Sequence, residues 1–181
     1  QELVIVKKVE FGVYLAESQD SGEKVLLPKK QVPHLAAAGD HIEVFLYKDS
    51  QDRLIATTNE PYVKLGETAM LEVKDTSRIG AFLNWGLEKD LFLPFKEQTY
   101  RPEKGEKVLI ALYKDKSDRL CATMKVYHYL KNRSGYVAGD ETKAFIYEIS
   151  ERYGAYAAVD NKFSGLIQKK DMQGDIRPGQ I

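Results

Sequence analysis

The chain has 181 residues, 43% of them hydrophobic and 30% charged, and its 27 basic and 27 acidic side chains cancel at pH 7. That balance excludes the global basic field that drives non-specific duplex binding, so any attraction to phosphate has to come from local patches. The single cysteine, Cys121, excludes an intrachain disulfide, and no apolar run approaches the roughly 20 residues of a membrane span, which reads as a soluble, cytoplasmic chain without a membrane partner.

The chain opens with alternating residues, Leu3, Ile5 and Val9 around Lys7 and Lys8, the period of half-buried strands. These lead into Glu10-Phe11-Gly12-Val13-Tyr14, whose glycine marks either a sharp strand bend in a small barrel or an ordinary hairpin. A third strand is predicted at 24–27 and a turn-like stretch at 31–39. A fourth strand runs through Ile42, Val44 and Leu46, and a fifth follows across the turn Asp49-Ser50-Gln51-Asp52-Arg53. Asn59-Glu60-Pro61 reads as a short linker.

The same series then recurs. Arg78-Ile79-Gly80-Ala81-Phe82 precedes a third strand at 90–93, a turn at 97–105, and a hairpin Leu112-Tyr113-Lys114-Asp115-Lys116-Ser117-Asp118-Arg119-Leu120 that repeats Leu46 to Leu54. Ala56-Thr57 returns as Ala122-Thr123, and Cys121 falls where the first repeat has Ile55, as a small core residue of a strand. A longer connection, 127–139, carries helical-turn character around Tyr129, Leu130 and Lys131. A third copy, Arg152-Tyr153-Gly154-Ala155-Tyr156, follows and reaches only the approach to its fourth strand at Gly179-Gln180-Ile181.

The repeat spacing is longer than the roughly 20 to 50 residues of solenoid repeats, so each unit should close its own core. Five short antiparallel strands in so small a unit suit a closed Greek-key barrel better than a sandwich. The expected organisation is three tandem all-β modules, 1–60, 61–127 and 128–181, the third incomplete and the first two packed more closely than the last two. The unfinished third unit reads as part of something longer. The first module is acidic, with 7 basic and 10 acidic residues, and the second mildly basic, with 12 and 10.

The ordered set of aromatic-Gly motif, apolar third strand, Gly39-Asp40 or Gly105-Glu106, and Asp49-x-x-x-Arg53 or Asp115-x-x-x-Arg119 resembles the S1 domain, an RNA-binding OB fold. The tandem array with its Leu-Tyr-Lys-Asp and Ala-Thr motifs is more specifically similar to the bacterial conserved virulence factor B family. The resemblance implies tandem five-stranded antiparallel OB-fold barrels of S1 type, a single-stranded RNA partner, a regulatory role, and a downstream winged-helix domain that this chain does not contain.

Carried over, the S1 surface uses Phe11 and Tyr14 in the first module, Phe82 in the second, and Tyr153 and Tyr156 in the third as stacking platforms. Arg53 and Arg119 would contact phosphate or a base, with Asp49 and Asp115 orienting them or accepting a base amine; the plainer alternative is an ion pair that closes the hairpin. The family's histidine is replaced by Pro28, Pro94 and Gln168, and the first aromatic of the second module is Ile79. Lys30, Lys96 and Lys170 stand two residues further on, as phosphate contacts or as solvated loop lysines. Trp85, at a hairpin, is placed either to stack on a base or to pack against a neighbour.

Nothing points to catalysis. His34, His41 and His128 lack metal-ligand spacing, no phosphate-binding glycine loop or nucleophile elbow occurs, and Asp49 with Asp52 is ordinary hairpin chemistry. No cofactor is expected. The rival reading is a protein-interaction scaffold of OB barrels whose nucleic-acid surface has decayed.

Overall fold

A computed structural model describes all 181 residues. The fold is all-β, with four short 3-10 turns as its only helical elements. The chain divides into two compact units, one made of residues Gln1–Pro61 with Gly86–Lys89, the other of Tyr62–Trp85 with Asp90–Ile181.

In the first unit the strands are β1 (Glu2–Val9), β2 (Gly12–Ala16), β3 (Val25–Pro28), β4 (His41–Glu43), β5 (Phe45–Lys48) and β6 (Leu54–Thr57). They run in the order β4-β1-β2-β3-β6-β5. Only Val44 separates β4 from β5, so the two are one strand of a five-stranded barrel. Its ladders are antiparallel except for the closing bridge between β3 and β6, Leu26 to Ile55, which is parallel. The inward residues Leu3, Ile5, Val13, Leu15, Val25, Leu27, Ile42, Val44 and Ala56 form the core, as the period of two requires.

The second unit repeats the plan with β7 (Thr68–Thr76), β8 (Gly80–Asn84), β9 (Leu91–Pro94), β10 (Lys107–Lys114) and β11 (Leu120–Thr123), ordered β11-β10-β7-β8-β9. β9 lies alongside β11, which closes the barrel. The third module has three strands, β12 (Ala144–Ser150), β13 (Gly154–Val159) and β14 (Phe163–Gln168). Its last segment approaches β12 as the earlier copies do: Ile146 exchanges backbone hydrogen bonds with Gly179 and Gln180, as Ile5 does with Gly39 and Asp40, and Val73 with Gly105 and Glu106.

The glycine of each aromatic motif is explained by close approach. A Cβ on Gly12, Gly80 or Gly154 would lie 2.2, 2.3 or 2.1 Å from the carbonyl oxygen of Leu27, Leu93 or Ile167 on the neighbouring strand, where no side chain fits. The repeated threonines are structural. Thr57 Oγ1 donates to Gln31 Oε1 at 2.7 Å, and Thr123 Oγ1 donates to Glu97 Oε2 at 2.8 Å, tying the last strand of each barrel to the 3-10 turn after its third.

The second and third modules are not the loosely joined pair that their longer connection suggests. The second and third modules share one unit and one core, in which Leu109, Ala111, Val126 and Leu130 meet Phe145, Tyr147 and Ala158. The physical reason lies in a β-bulge. Each first strand slips register at one residue, between Ile5 and Lys7, Val73 and Asp75, or Ile146 and Glu148, and a bulge re-aims the extra side chain. The bulged residues are Val6, Lys74 and Tyr147; Lys74 is exposed, whereas Tyr147 is wholly buried. The connection after β11 is correspondingly fixed. It forms a 3-10 turn at Tyr127–Tyr129, and Lys131 exchanges backbone hydrogen bonds with Lys162 and Ser164.

Candidate nucleic-acid interface

In the first module Phe11 sits at the β1–β2 turn, 57% exposed, with its ring edge-on to Tyr14 at 6.4 Å and 86°. Tyr14 is half-buried on β2 opposite Leu26 of β3. Lys30 is exposed on the 3-10 turn Lys29–Gln31 that follows β3. β3 is in turn bridged to β6, the strand that begins just after Arg53. Rings and guanidinium therefore belong to neighbouring strands of one barrel wall.

The second module builds a broader aromatic surface than its motif indicates. Phe82 on β8 pairs directly with Phe92 on β9, their ring centroids 5.4 Å apart and tilted by 35°. The ring missing at Ile79 is supplied by Phe95, whose amide donates to the Ile79 carbonyl. Lys29 and Lys169 make the equivalent bond to Phe11 and Tyr153 in the other modules. Arg101 stacks its guanidinium over the Phe95 ring at 4.5 Å and donates to the Phe95 carbonyl and to Gln98 Oε1. Lys96 is exposed on the same turn. Phe92, Phe95 and Arg101 were not legible as site residues from the motif alone. The signal for Phe92 is its cross-strand position opposite the motif aromatic, and for Phe95 its place directly after Pro94.

The two Asp-Arg hairpins are near copies. Asp49 Oδ1 accepts from the amides of Gln51 and Arg53, while Oδ2 accepts from Arg53 Nε at 3.0 Å and Nη2 at 2.8 Å. Asp115 does the same with Ser117 and Arg119. Asp52 and Asp118 take the left-handed backbone, with φ of 58° and 60°, that the turn needs. Partial desolvation pulls the carboxyls of Asp49 and Asp115 upward, but the bonds from the turn amides and the guanidinium outweigh it and hold both below the ordinary aspartate value. Each carboxylate is thus spent on its own turn and arginine. Arg53 and Arg119 are oriented by it while their side chains stay 70% and 47% exposed.

In the third module Tyr153 is 49% exposed beneath the Arg152 guanidinium, 5.0 Å away. Tyr156 is half-buried and packed into the core shared with the second module; its ring meets Tyr147 at 6.2 Å and Tyr127 at 5.9 Å. Lys170 is exposed on the last 3-10 turn. Trp85 differs from the exposed stacking position the sequence allowed. Its indole is buried at 2% exposure, and its carbonyl accepts the amide of Tyr62 at 2.9 Å, so the strand end is sealed and offers no ring face to a base.

No group of three or more His, Cys, Asp and Glu side chains is placed to hold a metal ion. No helix is long and apolar enough to cross a membrane. What the surface offers is flat rings beside fixed cations, the components of sequence-tolerant stacking on single strands.

The S1 domain family model matches residues 1–59 and 65–125. Among relatives, the uncharacterized protein YitL of Bacillus subtilis is 33% identical over 61% of this chain and 38% of its own length. Conserved virulence factor B of Staphylococcus aureus (strain MRSA252) is 20% identical over 99% of this chain and 63% of its own. A crystal structure of a multidomain protein with nucleic acid binding domains from Streptococcus pneumoniae superposes with a TM-score of 0.66 at 21% identity, covering 99% of this chain and 65% of that one. This chain therefore spans less than two thirds of the length of each. With both complete barrels matched and similarity to conserved virulence factor B running through all three modules, the chain belongs to the S1 domain family.

Proposed function

We propose that this protein binds single-stranded RNA on the barrel walls of its S1 modules and acts in RNA-based regulation. The observation that carries this reading is the Phe82–Phe92 pair on β8 and β9, a two-ring platform at 5.4 Å with Phe95, Lys96 and Arg101 at the end of the same strand. Bases of any identity stack on such rings, and the cations answer phosphate without base selectivity. The first module adds Phe11, Tyr14, Lys30 and Arg53, and the third adds Tyr153 and Lys170. The S1 family and the likeness to the Streptococcus multidomain protein with nucleic acid binding domains support a nucleic-acid role. The regulatory part rests on the similarity to conserved virulence factor B.

A second reading, the interaction scaffold, draws on the burial of Trp85 and on Tyr156, whose ring is engaged in the shared core. An oligonucleotide titration separates the two. RNA binding predicts saturable association with single-stranded RNA that weakens as salt rises; a scaffold predicts no saturable association with RNA at low salt.

A further inference from the structure

We infer that the turn joining the second and third modules is itself a base-binding element, one that links their surfaces into a single track for one RNA strand. The inference rests on the RNA-binding reading above and assigns it Tyr127, His128 and Lys125, which lie outside the S1 motif residues.

The turn is anchored on both sides. Val126 is fully buried and Leu130 nearly so, both in the core shared by the two modules, and the amides of Tyr129 and Leu130 donate to the Val126 carbonyl. Between these anchors Tyr127 and His128 face outward, Tyr127 at 50% exposure. Burial explains the flanking residues, whereas these two rings are held only at their edges and keep exposed surface. Tyr127 stands edge-on to Tyr156 at 5.9 Å and 84°, and His128 edge-on to Tyr127 at 5.3 Å and 87°. Tyr156 in turn rests on buried Tyr147 at 6.2 Å. An aromatic column thus rises from the core to the surface, with its outermost members fixed in place, which lowers the ordering cost of stacking a base on them.

The same segment connects back to the second module's platform. Lys125 Nζ donates to the Lys96 carbonyl, the Met124 amide donates to the Glu97 carbonyl, and Thr123 Oγ1 holds the Glu97 carboxylate. From Phe92 the track runs along β9 to Phe95 and Lys96, crosses to Lys125, and continues to Tyr127, His128 and Tyr156. Two rings, then the ammonium groups of Lys96 and Lys125, then three further rings follow one another along it, so a single strand can lay bases on the rings at either end and phosphates on the lysines between them. Glu148, exposed opposite Tyr156 on β12, puts a negative charge at the far end, which disfavours phosphate there relative to the lysines.

The test uses the full chain and a uridine oligonucleotide of about 15 nucleotides, the upper range of one OB site. Affinity is compared for wild type, Tyr127→Ala, Tyr127→Phe, Lys125→Gln and Phe82→Ala, with circular dichroism as the folding control. The expected result is a loss of about fivefold or more for Tyr127→Ala, retention for Tyr127→Phe, and for Lys125→Gln a salt slope lower by about 0.7. If Tyr127→Ala proves unfolded, His128→Ala and Lys125→Gln carry the comparison. Wild-type affinity in the Tyr127, His128 and Lys125 variants beside a weakened Phe82→Ala overturns the track and leaves the RNA-binding reading intact. Absence of binding by the wild type removes both.

Discussion

Arg119 donates through Nε and Nη2 to Asp115 Oδ2, both at 3.0 Å, while the Arg119 backbone amide binds the other oxygen of the same carboxylate. Arg53 and Asp49 reproduce the arrangement in the first module. The carboxylate closes the turn and aims the guanidinium at once, so its removal should act on both stability and binding. Asp115→Asn is expected to cost about 1 to 2 kcal/mol in denaturant unfolding, the scale of lost side-chain bonds to a turn.

The same carboxyls give a pH signature. Their folded pKa values lie below the unfolded one, so the unfolded chain binds more protons as pH falls, and their contribution is complete above about pH 4 and disappears below it. The stability gap between wild type and Asp115→Asn should therefore be full at pH 7 and smaller at pH 3. A gap of equal size at both values contradicts this assignment.

Tyrosine burial makes the opposite prediction at high pH. Burial first, then Glu106, pushes Tyr100 up to about 12; burial first, then Glu97, does the same for Tyr113. Tyr147 is also raised, mainly by burial. Above about pH 10 the unfolded chain loses these protons before the folded one, so their contribution is full below that value and lost as pH rises through about 12. Thermal melts should fall steeply between those limits. Tyr147→Phe, which removes a buried hydroxyl that has no hydrogen-bond partner, should match or exceed wild-type stability at neutral pH and flatten the alkaline fall.

Gly80→Ala tests the barrel wall under the candidate platform. The new Cβ would stand 2.3 Å from the Leu93 carbonyl and 2.9 Å from Cε2 of Phe92, so β8 and β9 must separate. Chemical unfolding should show a loss of more than about 1 kcal/mol. Because the same shift displaces the Phe92 ring, RNA affinity should fall as well. Gly105→Ala, with nothing within 4 Å of its Cβ, should leave the Phe92 ring and RNA affinity in place, although its φ of 87° costs some stability.

Much of this was legible from spacing. The recurring glycine and aromatic pair located β2, β8 and β13, and the Asp-x-x-x-Arg hairpins located the ends of the barrels. Alternation placed the core, because one face of each strand is buried. Tyr147 was not legible, since a bulge reverses the face of one residue without leaving a mark in the alternation. Phe95 escaped because motif reasoning looked for an aromatic at position 79, whereas the barrel brings residue 95 beside it through a backbone hydrogen bond. Trp85 stayed open between stacking on a base and packing, because sequence shows the turn and not what covers it; the structure buries the ring.

The central claim is that the paired rings of the second module bind single-stranded RNA. Its most direct measurement is a fluorescence anisotropy titration of a labelled RNA oligonucleotide with wild type, Phe82→Ala, Phe92→Ala and the double variant, each shown to be folded. The expected losses are about 1 to 3 kcal/mol for each ring, with a double loss smaller than the sum, since the rings touch and would meet the same base. Saturable wild-type binding that survives unchanged in the double variant would contradict it.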